Sequence, residues 1–136
     1  MPYLIDSDWT IDHLNDVPEA ISLVDSLTSD NLFISVITYL EAFQGTLRDS
    51  QPVGAAEKLR RFTVAVPVLD VTQQMAETGA RIRESLRSQG RRIESRAYDL
   101  LIAATAIEYN FTLVTRNVRD YADIPDLKLY GAAQPG

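Results

Sequence analysis

The stretch Ala97-Tyr98-Asp99-Leu100-Leu101-Ile102-Ala103-Ala104-Thr105-Ala106, followed closely by Thr112-Leu113-Val114-Thr115-Arg116-Asn117-Val118-Arg119-Asp120, decides how the rest of the chain is read. The first part is apolar nearly all round, which is the pattern of a helix covered by other structure rather than one facing water. The second is a short strand, Thr112-Leu113-Val114, that runs into a polar turn ending on an acid. A buried helix feeding a buried strand is the unit of a parallel sheet with helices packed on it. Upstream, Val71 to Gln89 reads as a long helix closed by Gly90, with Met75, Ala76, Gly79, Ile82 and Leu86 along one stripe and Arg81, Arg83 and Arg87 off it.

The same alternation continues toward the N-terminus. Tyr3-Leu4-Ile5 is a short apolar strand that stops at Asp6-Ser7-Asp8, and Trp9 to Leu14 reads as a helix capped by Ser7 or Asp8. Pro18 opens a second helix, with Ala20, Leu23, Val24 and Leu27 on one face. Asn31 to Ile34 is the next strand, and Ser35 caps a helix from Val36 to about Leu47. Gln51-Pro52-Val53-Gly54 reads as a break, and Ala55 to Phe62 as helix. Val64 to Leu69 is β-branched but holds Pro67, so it fits an edge strand. Ser95 starts the buried helix, and Leu127-Lys128-Leu129 is a last short strand. Alternating strands and helices predict an α/β fold: a central, mostly parallel sheet of four to five strands with helices on both faces and right-handed crossovers.

Four acids stand out in that frame: Asp6 at the end of the first strand, Glu41 in Ile37-Thr38-Tyr39-Leu40-Glu41-Ala42-Phe43, Asp99, and Asp120 after the fourth strand. In open α/β sheets, sites form at the carboxyl ends of strands. An ionised carboxylate beside an apolar core is costly unless it is paired, hydrogen-bonded or bound to a cation. Carboxylates that converge repel one another. A divalent cation removes the repulsion, and hard oxygen ligands suit Mg²⁺ or Mn²⁺. The pattern therefore points to phosphoryl chemistry.

Composition narrows the class. The chain of 136 residues reads as one domain spanning 1–136, and 46% hydrophobic residues set it apart from disordered or fibrous chains. Its start carries no basic leader, and no apolar run reaches the roughly 18 residues needed to span a bilayer, so a cytoplasmic protein without membrane contact is expected. There is no cysteine, which excludes disulfides, thiolate metal sites and a Cys nucleophile, and the single His13 cannot build a His-rich site. The net charge of −6 is segregated: residues 1–57 hold ten acids against the single base Arg48, whereas 58–96 hold nine bases against four acids. An Arg-rich stripe beside an acidic site permits a polyanionic substrate, although such a run is most often a solvated helix face.

Taken together, Leu4-Ile5-Asp6-Ser7-Asp8-Trp9, Ile34-Ser35-Val36-Ile37-Thr38-Tyr39-Leu40-Glu41, Asp99 to Ala106 and Leu113 to Tyr121 resemble the PIN-domain family, and within it the VapC-type toxins of bacterial toxin–antitoxin pairs. The resemblance implies Mg²⁺- or Mn²⁺-dependent cleavage of RNA, a cognate antitoxin partner that blocks the site, and a homodimer. It implies Asp6 and Asp99 as direct ligands of a first ion, with Glu41 and Asp120 acting through water or on a second ion. Asn117 stands where many members of the family carry an Asp, and is assigned as a supporting or water-mediated ligand. Thr115 and Asp8 are supporting residues. Arg81, Arg83, Arg87, Arg91, Arg92 and Arg96 are candidate RNA contacts. Trp9 reads as a packing residue, and His13 is given no role. The helices near 10–27 and 36–62 are the expected groove for an antitoxin helix.

Two rivals stay open at this level. Asp6-Ser7-Asp8-Trp9-Thr10 fits the strand-end D-x-D-x-T signature of a HAD-type phosphotransferase, with Asp6 as nucleophile. Against it, the only lysines, Lys58 and Lys128, do not follow strands in the way that chemistry requires. A binding-only α/β module with inert acids is the other.

Overall fold

The computed structural model describes residues 2–131. Its five strands are β1 (Tyr3–Ile5), β2 (Leu32–Ser35), β3 (Val68–Leu69), β4 (Thr112–Val114) and β5 (Lys128–Leu129), and they pair in the order β3-β2-β1-β4-β5. All four pairings are parallel, as expected. The helices are α1 (Ser7–Leu14), α2 (Pro18–Leu27), α3 (Val36–Leu47), α4 (Pro52–Ala65), α5 (Gln73–Ser88), α6 (Ala97–Tyr109) and the single turn α7 (Val118–Tyr121).

Helices cover both faces because successive strand residues point opposite ways. Leu4 and its register partners Phe33 and Leu113 face a core built with Ile82, Leu86, Leu100, Ala103 and Tyr121. Ile5 and its partner Val114 face the other core, with Val24, Leu27, Ile34, Phe62 and Val66. The α6 helix is buried over Ile102, Ala103, Ala104, Thr105 and Ala106, as its all-round apolar sequence requires. Among the described residues, no helix is long and apolar enough to cross a membrane.

Several boundaries differ from those expected. The cap of α1 is Asp6, whose carboxylate accepts the Ser7 N–H at 2.7 Å; Ser7 and Asp8 lie inside the helix. Pro52 does not break the chain but takes the first turn of α4, where its missing N–H costs nothing, so the helix runs on to Ala65. That leaves only Val68–Leu69 as strand, at the sheet edge, with the Pro67 carbonyl accepting from Ile34 N–H at 3.0 Å. The proline thus serves the sheet purely as an acceptor. Ala76 is exposed, while Met75, Gly79, Ile82 and Leu86 form the buried stripe of α5. Gly90, at φ +72°, closes that helix through its N–H to the Arg87 carbonyl, as expected. Ser95 adopts φ +64° and does not start α6, which begins at Ala97 with Arg96 as its cap.

Candidate active site

The register of the sheet builds the site. Ile5 pairs with Val114, so the next residue of each strand, Asp6 and Thr115, leave the sheet side by side. The Thr115 hydroxyl donates to Asp6 Oδ2 at 2.8 Å. The Tyr121 hydroxyl reaches the same oxygen at 3.1 Å and Asp99 Oδ1, in the first turn of α6, also at 3.1 Å. Asp6 is only 5% exposed, and Tyr121 only 1%. Burial pushes the Asp6 carboxyl above the usual aspartate range; the donors Ser7, Thr115 and Tyr121 oppose that rise, and the nearby Asp8 charge adds to it. Asp99 is raised by burial first and then by Asp6, with smaller contributions from Asp120 and Glu41, against the hydrogen bond from Tyr121. The four acids picked out in the sequence therefore share one electrostatic neighbourhood, with Asp99 feeling the other three.

Glu41 is tied in through Ser7. The Ser7 hydroxyl donates to Glu41 Oε1 at 2.5 Å and lies 3.2 Å from Thr38 Oγ1, one helical turn before Glu41 on the same face of α3. Asp120 sits exposed on α7. Asn117 precedes that turn, and its N–H donates to Thr115 Oγ1 at 3.0 Å; its side chain makes no cap bond. Asp8 turns toward the β4–α7 loop, where its carboxylate accepts Arg116 N–H at 3.1 Å. The Arg116 guanidinium lies over the Trp9 ring, 3.6 Å from its centroid, and pairs with Asp12 and Glu19. Trp9 is thus a packing platform for this loop.

Sequence reading missed two linking residues. Tyr121 ends the Asp120 motif, but nothing in its spacing told that its hydroxyl would turn inward between two acids. Ser7 was read only as a possible cap. One assignment is corrected outright: Arg96 is not an RNA contact. It is 4% exposed and its guanidinium is bound to Asp123 at 2.7 and 3.0 Å beneath α7. The remaining arginines of the stripe are exposed; Arg87 is paired with Glu84, and Arg81 lies 3.6 Å from Glu77.

The donor set suits a hard divalent cation. Among the described residues, no Lys or Arg forms an ion pair with Asp6, Glu41, Asp99 or Asp120. Nor, among those residues, do three acids close tightly enough to cage an ion unaided. A divalent ion held there would keep several of its own waters.

A model of the PIN domain matches residues 3–127. The chain belongs to the PIN-domain family. Among its relatives, Ribonuclease VapC19 of Mycobacterium tuberculosis is 35% identical over 127 residues, 92% of this chain and 96% of that protein. Ribonuclease VapC1 of Haemophilus influenzae is 29% identical over 130 residues, 94% of this chain and 96% of its own length. A crystal structure of VapBC2 from Rickettsia felis, bound to a DNA fragment from the promoter, superposes with a TM-score of 0.84 at 27% identity, covering 95% of this chain and 97% of that one. This PIN domain is of the VapC type. The HAD-type alternative falls with that assignment and on geometry: Thr10 is buried and donates to the Asp6 carbonyl, and Asp8 is spent on the Arg116 N–H.

Proposed function

We propose that the acidic cleft at the carboxyl ends of β1 and β4 hydrolyses phosphodiester bonds of RNA, using Mg²⁺ or Mn²⁺. The chain is an endoribonuclease toxin of a toxin–antitoxin module, and its partner is a cognate antitoxin. The observation that carries the catalytic reading is the meeting of Asp6 and Asp99 at one buried hydroxyl, with no Lys or Arg among the described residues paired to either. Asp6 and Asp99 would hold a divalent ion directly; Glu41 and Asp120 would hold it through water or hold a second, with Asn117 as a further oxygen. Bound there, it supplies an activated water and neutralises charge on the phosphate.

The protein's own part is orientation. Thr115 and the Ser7 N–H fix both oxygens of Asp6. The Ser7 hydroxyl fixes Glu41, so α1 and α3 are joined across the cleft. Asp8 holds the loop that carries Asn117 toward the site through the Arg116 N–H. No side chain of the cleft is placed as a nucleophile. The exposed Arg81, Arg83, Arg87, Arg91 and Arg92 would guide the polyanion, because the acids themselves repel phosphate. The protein acts in the cytoplasm as a homodimer.

Expression of the chain alone should arrest growth, and Asp6→Asn should relieve the arrest while circular dichroism stays native. In vitro, cleavage of total RNA by the purified protein should stop in EDTA and return with Mn²⁺. Arrest by a folded Asp6→Asn protein would refute the metal mechanism, and the absence of divalent-dependent cleavage would favour an inert module.

A further inference from the structure

Arg96 and Asp123 form the one ion pair, among the described residues, in which both side chains are largely withdrawn from water, at 4% and 18% exposure. Surface pairs form readily on this chain, as Lys58–Asp16 and Arg87–Glu84 show. A buried pair instead carries a desolvation cost, so its placement calls for a reason. The contacts give one. Besides gripping both oxygens of Asp123, the guanidinium donates from Nη2 to the Asp120 carbonyl at 2.9 Å and from Nη1 to the Arg92 carbonyl at 2.9 Å. Both terminal nitrogens are thereby used, while Nε is buried without a partner. The fork is committed to the α7 turn at the expense of its own remaining donor.

That turn needs holding. At four residues, α7 is too short to be stable by its own hydrogen bonds. Its two functional residues are consecutive: Asp120, whose carbonyl Arg96 holds, and Tyr121, whose hydroxyl meets Asp6 and Asp99. Arg96 is itself the cap of α6, three residues before Asp99. One guanidinium thus spans the start of the helix that carries Asp99 and the turn that carries Asp120.

We propose that Arg96 and Asp123 are positioning residues of the cleft, their buried ion pair clamping α7 against α6 so that Asp120 and Tyr121 stay in register with Asp6 and Asp99. The inference rests on the reading of Asp99 and Asp120 as site acids. Neither Arg96 nor Asp123 touches substrate; both act through the turn.

The test uses Asp123→Asn, which keeps the shape and removes the charge, and Arg96→Lys, which keeps the charge and loses the planar fork. Should Asp123→Asn not fold, Arg96→Lys carries the experiment. Amide hydrogen exchange over 118–121 should accelerate by about tenfold or more, with the strands at 3–5 and 112–114 unchanged. In RNA cleavage, kcat should fall by roughly 10–100-fold, the usual loss when a ligand's supporting partner is removed, with KM nearly constant. In an Asp120→Asn, Tyr121→Phe background, Asp123→Asn should add less than about twofold, since the pair then has nothing left to position. Unchanged exchange at 118–121 in a folded variant overturns the clamp. Faster exchange with kcat intact overturns the positioning role. Asp120→Asn alone separates the two readings: if it leaves kcat intact, the four-acid site fails, whereas accelerated exchange in the clamp variants still upholds the clamp.

Discussion

The Tyr121 hydroxyl has one proton and faces two carboxylates, so it can donate fully to only one of them at a time. Asp6 keeps the Ser7 N–H and the Thr115 hydroxyl in either case, so Asp99 is the one left short of a donor when the proton turns to Asp6, in a site that burial has already made hostile to charge. This sets a pH dependence whose sign is fixed. Asp6 and Asp99 are both raised in the folded protein, so the native state binds more protons than the unfolded chain. In EDTA, their contribution to stability is full below the ordinary aspartate pKa of about 3.9 and is lost as pH rises through their elevated folded values. Asp123 runs the other way: Arg96 lowers it, so its contribution is present above that pKa and fades as pH falls through its folded value. Melting curves of wild type and Asp99→Asn from pH 3 to 8, in EDTA, span the whole interval from the ordinary aspartate range upward and isolate the first effect. Wild type should lose stability relative to Asp99→Asn as pH rises; parallel curves would show that Asp99 is not strained by its neighbours. At this scale the convergence of Asp6 and Asp99 was legible, because an acid at the edge of an apolar run advertises its cost. Tyr121 and Ser7 were not, because a hydroxyl's direction depends on packing that no spacing records.

Helix and strand types were legible almost throughout, and the errors lie where a residue has two uses. Proline is one case. Pro52 reads equally as breaker or first-turn residue, and the structure takes the second; Pro67 was expected within a longer strand and instead precedes a two-residue one. Left-handed positions are another, since Ser95 at φ +64° ends the approach to α6 where a cap was expected. Gly79 shows how packing leaves room that the sequence cannot reveal. It lies inside α5 against α6, and a Cβ there would meet Leu101 Cδ2 at 3.7 Å and the Leu100 carbonyl at 3.8 Å, ordinary contact distances. The glycine is thus not required by a close approach. Gly79→Ala should stabilise the protein by about 0.5–1 kcal/mol, the usual gain at a helix interior that accepts the methyl. Chemical denaturation would check it, and a loss of stability would mean that the two helices stand closer in solution.

For the molecule as a whole, the segregation of charge and the parallel sheet were both readable, whereas the way α1, α3 and α4 leave a hollow was not. That cleft, of about 420 Å³, is lined by Ile11, Leu14, Ala42, Thr46, Ala55 and Lys58, among others. Leu47 and Val53 are exposed beside it, at 64% and 75%. Its lining comes from 11–16 and 42–58, a part of the segments 10–27 and 36–62 expected to take an antitoxin helix, with no contribution from α2. Hydrogen exchange on the complex should show protection over 10–62; protection confined to 70–96 would move the interface to the Arg-rich face. Divalent ions should act on the other side of the same balance. Millimolar Mn²⁺ at neutral pH should raise the melting temperature of wild type through binding linkage, and raise that of Asp99→Asn less. A melting curve that does not move would remove the ion from the acidic site of Asp6 and Asp99.

The register that sets Asp6 beside Thr115 joins residues 109 positions apart in the chain. During synthesis, β1 emerges first, yet its neighbour β4 leaves the ribosome only near the end. Asp6, Ser7 and Glu41 are then already exposed as an incomplete set, while Asp99, Thr115 and Tyr121 are still to come. On the proposed site, a nascent chain should therefore show no nuclease activity until β4 has entered the sheet beside β1. The same expectation holds for fragments: a chain truncated before residue 112 lacks Thr115, Asp120 and Tyr121, and should not cleave RNA. The topology thus ties the proposed activity to completion of the sheet rather than to the emergence of its first acids.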